Sequence, residues 1–117
     1  MLLSERELLT VQPIPASRYQ NEQLAALTAY SIYWLRKWGV RPTVEAITVL
    51  NHRLFPERFG MDSFPEFPDA NRTQRSLLQC GPKYRGWLSG SNKRGYEITP
   101  GGRFQSKGWV VTSKRLG

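Results

Sequence analysis

The side chains best suited to chemistry in this chain are cations and amides, gathered in its second half. The segment Ala70–Cys80, Ala-Asn-Arg-Thr-Gln-Arg-Ser-Leu-Leu-Gln-Cys, contains no acid. Wound as a helix at about 100° per residue with Leu77 as origin, it puts Ala70, Thr73 and Cys80 near Leu77 on an inner face. Asn71, Arg72, Arg75, Ser76 and Gln79 fall on the opposite side. Arginine can donate bidentately to guanine, and asparagine or glutamine to adenine, from within a major groove. A solvated helix face ordinarily mixes Glu with Lys, and this one has neither.

A second basic group follows. Asn92, Lys93 and Arg94 form a polar turn, and Lys83 and Arg85 flank the approach to it. Contact with a phosphate track needs cations spread along a surface and no strict geometry, so such a turn could reach phosphates or an adjacent minor groove. A charged turn also serves simply to keep a hairpin soluble. The joint placement on helix and turn is what points to nucleic acid.

Other chemistries find little support. His52 stands alone beside Arg53, which suits a surface or structural role. Cys80 is the single cysteine, so neither an internal disulfide nor a zinc finger is expected. Asp62, Glu66 and Asp69 lie on a proline-rich stretch where carboxylates suit capping and solvation. There is no glycine-rich phosphate loop and no Ser/His/Asp set. The expectation is a non-enzymatic protein with no catalytic residues, no metal and no cofactor.

Charge sharpens the contrast between the two parts of the chain. Residues 1–70 carry 7 Lys+Arg and 8 Asp+Glu, whereas residues 71–117 carry 10 Lys+Arg and only Glu97 as an acid. The overall +8 is therefore a property of the second part, which suggests a polyanionic partner. With 39% hydrophobic and 12% aromatic residues in 117, the chain can fill one core. No apolar run reaches membrane-spanning length and no signal peptide opens the chain, so a cytoplasmic protein without membrane contact is expected.

The elements that must hold these residues can be placed by their punctuation. Ser4 and Glu7 make a capping box for a short helix over about 5–9, and Pro13 and Pro15 end it, giving an arm over 1–19. From Gln20 to Trp38 there is neither Pro nor Gly. Leu24, Leu27, Ser31, Trp34, Leu35 and Trp38 recur at helical spacing, and Gly39 terminates the helix. Thr43 caps a second helix with Val44, Ile47, Leu50 or Asn51, and Leu54 inward. Residues 56–68 form a loop in which Phe59, Phe64 and Phe67 are expected to anchor. Asp69 caps the third helix, ended by Gly81-Pro82. Residues 86–90 and 95–99 read as two strands around the polar turn, and Thr99-Pro100 opens a last short helix. Leu24, Leu27, Trp34, Ile47, Leu50, Leu77, Trp87 and Ile98 should share one core.

The order helix, helix, loop, helix, hairpin resembles the winged helix-turn-helix family. The likeness rests on Asp69–Cys80 as recognition helix and on Arg85-Gly86-Trp87-Leu88-Ser89-Gly90 with Gly95-Tyr96-Glu97-Ile98-Thr99-Pro100-Gly101-Gly102-Arg103 as wing. Residues 56–68 stand where that family has a tight turn. The resemblance implies a mainly α fold with a small antiparallel hairpin over 20–104, followed by an extension at 105–117. It also implies a double-stranded DNA-binding module, a transcriptional regulator or the DNA-binding part of a bacterial defence or mobile-element system. A protein-interaction module on the same scaffold is the alternative, with Tyr30, Tyr33, Phe64 and Trp109 as contacts to a second copy or another protein. RNA binding is a third reading.

Overall fold

A computed structural model describes residues 2–81 and 84–99. Helix α1, Leu24–Lys37, runs through the middle and is followed by α2, Val44–Leu54, the single turn α3, Pro56–Phe59, and α4, Ala70–Cys80. A hairpin of β1, Leu88–Ser91, and β2, Gly95–Ile98, completes the fold as a two-stranded antiparallel sheet. Its register runs from Leu88 opposite Ile98 to Ser91 opposite Gly95. The architecture is mainly α with one small hairpin; β2 lies within its expected range of 95–99, while β1 starts two residues later than expected and takes in Ser91, which was expected in the turn.

Local signals set most of the boundaries. The Thr43 hydroxyl accepts from Ala46 N–H at 3.1 Å, and Asp69 Oδ1 accepts from Arg72 N–H at 3.2 Å, so both expected caps form. Ser4 and Glu7 exchange the two bonds of a capping box, and the turn they start, Arg6–Thr10, is 3-10 rather than α. α1 begins only at Leu24, behind a turn in which Glu22 N–H donates to Tyr19 O. Its far end closes as a Schellman motif: Gly39 N–H donates to Arg36 O and Val40 N–H to Leu35 O. Gly39 takes the left-handed conformation this motif needs, with φ 76°.

α1 is buried on more than the one stripe its spacing suggests. α2, α4 and β2 all pack on it. Ala25, Ala26, Thr28, Ala29 and Ser31, small enough to admit close neighbours, are buried together with Leu27, Tyr30, Ile32 and Leu35. Of the expected core, Leu27, Ile47, Leu50 and Leu77 are buried, while Leu24, Trp34, Trp87 and Ile98 pack on it partly exposed.

The arm belongs to the same core. Leu3, Leu8, Val11, Ile14 and Tyr19 are buried in it. Leu3 N–H donates to Trp38 O, Ile14 N–H to Leu54 O, and the Arg53 guanidinium holds Val11 O through two bonds.

Residues 56–68 are less irregular than expected. Pro56 opens α3, Gly60 and Pro68 form an isolated bridge, and Asp69 N–H returns to Phe59 O. His52 Nε2 lies 2.8 Å from Pro65 O and ties the loop to α2. Phe59 anchors the segment, but Phe64 and Phe67 are 58% and 55% exposed, contrary to the expected anchoring of all these rings. The expected last helix after Thr99 and the extension at 105–117 lie outside the described residues.

Candidate nucleic-acid interface

The position of α4 about its own axis decides which side chains can meet a partner. Its buried residues are Thr73, Ser76, Leu77 and Cys80, so the inner face is centred between Thr73 and Cys80 and is turned by about half a right angle from Leu77. A buried polar network explains the rotation. The Ser76 hydroxyl lies 2.5 Å from the Thr28 hydroxyl and donates to Thr73 O, and Asn51 Nδ2 donates to the hydroxyls of Thr28 and Thr73. Hydroxyls that satisfy one another can sit inside the protein.

Two expected outward residues are therefore placed differently. Ser76 is 1% exposed and its hydroxyl is engaged within the core, which corrects its expected place on the outer face. Arg72 is turned toward the loop: it pairs with Asp62 and Asp69 and donates to Arg58 O. Its charge is matched and its fork is occupied in holding 56–69 against α4, which corrects the reading of Arg72 as a free donor.

The same rotation brings out what the sequence reading missed. Asn71, Arg75 and Gln79 are exposed as expected, and Gln74 and Leu78 join them. Among the described residues no acid or hydrogen-bonding side chain pairs with Arg75. The spacing of Asn71, Arg75 and Gln79, each four apart, sets them in one row along the helix. The missing signal was Ser76, whose hydroxyl reads as surface although its partner Thr28 stands at a helical position facing it.

The hairpin is docked on the start of α2. Asn92 Oδ1 accepts from Val44 N–H at 2.7 Å, Tyr96 N–H donates to Pro42 O, and Arg36 Nε donates to Tyr96 O. Asn92 thus spends its carbonyl oxygen on capping α2, leaving Lys93 and Arg94 exposed at the tip. Arg85 turns back toward the start of α1, where it meets Gln23 Oε1 and lies over the Trp87 ring at 4.9 Å. Lys83 lies outside the described residues.

Val44 links the two basic elements. It lines a groove of about 430 Å³ together with Gln74, Leu77 and Leu78 of α4, Tyr84, and Tyr96 of β2. The groove thus lies between α4 and β2, with Val44, whose N–H is held by Asn92, in its lining. The groove itself is apolar, with Leu78 68% and Tyr84 67% exposed. Of the aromatics expected as partner contacts, Tyr30 is buried, Tyr33 is at the edge of exposure, Phe64 is exposed, and Trp109 lies outside the described residues.

Among the described residues no group of His, Cys, Asp and Glu could hold a metal ion. Burial pushes the Cys80 thiol up to about 12, and its Sγ lies 3.2 Å from Ala25 O, the environment of an inert core cysteine. No helix among the described residues is long and apolar enough to cross a membrane. In comparisons with protein-family models, curated proteins and solved structures, nothing matches this chain.

Proposed function

We propose that this chain is a double-stranded DNA-binding module of the winged helix-turn-helix kind, acting as a regulator or as the DNA-binding part of a larger system rather than as an enzyme. The observation that carries the proposal is the acid-free outer face of α4, with Arg75 unpaired between Asn71 and Gln79, together with the exposed Lys93 and Arg94 at the hairpin tip. In this reading α4 enters the major groove and the hairpin tip rests on phosphates. Ser76 takes no part, and Arg72 acts through the loop it anchors.

One pair of substitutions separates base reading from backbone contact. Arg75→Ala should cost about 1–3 kcal/mol on the preferred sequence and much less on random duplex, because a base contact carries discrimination. Lys93→Ala should weaken all duplexes alike and lower the salt slope by about one counterion. Equal losses for Arg75→Ala on every sequence would remove α4 from base reading.

The apolar groove supports a second reading. Leu78 and Tyr84 offer exposed apolar surface of the kind that protein partners cover. A protein-interaction module would show no salt-sensitive duplex binding near physiological ionic strength.

A further inference from the structure

We infer that a second basic site, a cleft under the hairpin tip walled by Arg36, Arg41 and Arg94, binds a phosphate group. This inference goes beyond the α4 surface: the cleft shares Arg94 with the proposed duplex contacts, but neither Arg36 nor Arg41 belongs to them. The cleft has a volume of about 400 Å³ and is completed by Gly39 and Val40. That is room for a hydrated phosphodiester or a small phosphorylated molecule.

Three arginines line one space, and the acid beside them matches only one of them. Glu97 lies 3.4 Å from Arg36 and offsets part of their charge. Among the described residues, Arg41 and Arg94 have no ion-pair partner. The planar fork of arginine matches phosphate oxygens two at a time, which makes a phosphate the anion that best fits such walls.

The backbone is built to hold the group together. Gly95 has φ 87°, and a Cβ there would stand 2.9 Å from Arg41 Cγ and 3.3 Å from Arg36 Nη2. Its missing side chain lets β2 settle against both arginines and brings Arg94, its neighbour in sequence, to the same cleft. Arg36 is further fixed by its bond to Tyr96 O. The C-terminal end of α1 lies at the cleft, and helix ends of this kind disfavour anions. Here the carbonyls of Leu35, Arg36 and Trp38 are taken by the N–H groups of Val40, Gly39 and Leu3, so they are already satisfied internally.

The test is a titration of the full chain with inorganic phosphate, followed by amide NMR at constant ionic strength with chloride as the balancing anion. The amides of Gly39, Val40 and Gly95 should shift saturably. Arg41→Ala and Arg94→Ala should each weaken phosphate roughly tenfold, the scale of one lost charge-assisted hydrogen bond, and Arg18→Ala, at a residue that does not line the cleft, should not. The same spectra report whether each variant is folded. If a short duplex displaces phosphate from these amides, the occupant is a nucleic-acid phosphodiester. If a nucleoside monophosphate binds saturably and the duplex moves nothing, the occupant is a small phosphorylated molecule. Phosphate binding retained in a chain without duplex affinity would end the DNA reading and leave the cleft standing. Shifts that chloride reproduces, or unchanged phosphate affinity in the Arg41→Ala/Arg94→Ala double variant, would overturn the inference.

Discussion

Arg72 and Arg75 stand nearly one helical turn apart on α4, and their surroundings give them opposite uses. Asp62, Asp69 and Arg58 O consume the fork of Arg72, while the guanidinium of Arg75 is left to solvent or a partner. Cys80 shows the same control by environment. Its thiol, raised from 9.0 to about 12 by burial, holds roughly a thousandfold less thiolate near neutral pH than in the unfolded chain. Alkylation by iodoacetamide should therefore proceed only as fast as the protein opens. Because the folded state keeps that proton more tightly, the part of the stability linked to Cys80 should be fully present below pH 9.0 and be lost as pH rises from there toward about 12. Rapid alkylation of the native protein would contradict this placement of Cys80. Its burial was legible from the helical position it shares with Thr73 and Leu77. The inward turn of Ser76 was not, because a hydroxyl reads as surface until Thr28 and Asn51 are brought opposite it.

Among the elements, those defined by local chemistry were readable and those defined by long-range docking were not. Thr43, Asp69 and Gly39 mark helix ends because capping satisfies backbone groups within a few residues. The turn α3 and the bridge of Gly60 with Pro68 depend on contacts to α2 and α4, and no short pattern announces them. The hairpin was legible as strand, turn and strand, but its seat on the start of α2 was not. Gly95 tests that seat. With φ 87° and Arg41, Pro42 and Arg36 against the place of its Cβ, Gly95→Ala should destabilise the protein by about 1–3 kcal/mol in urea unfolding. An unchanged midpoint would mean that the hairpin does not rest against these residues.

At the scale of the whole molecule, two kinds of cation divide the work. Arg53, Arg58 and Arg72 lie in the body of the fold and donate to backbone carbonyls, tying the arm and the loop to it. Arg75, Lys93, Arg94 and Arg41 are exposed, and among the described residues none of them has an ion-pair partner. The acids contribute to the division: 8 of the 9 lie in residues 1–70, and two of them, Asp62 and Asp69, engage Arg72. On duplex DNA a surface of this kind would act through counterion release, so the proposed affinity should fall steeply with salt. Binding of the full chain to random-sequence duplex DNA, measured at about 50 and 200 mM salt, is the most direct test of that claim. DNA binding predicts clear affinity at the lower salt and a loss of one or more orders of magnitude at the higher. No duplex affinity even at the lower salt would contradict it and leave the apolar groove beside Leu78 and Tyr84 as the working surface.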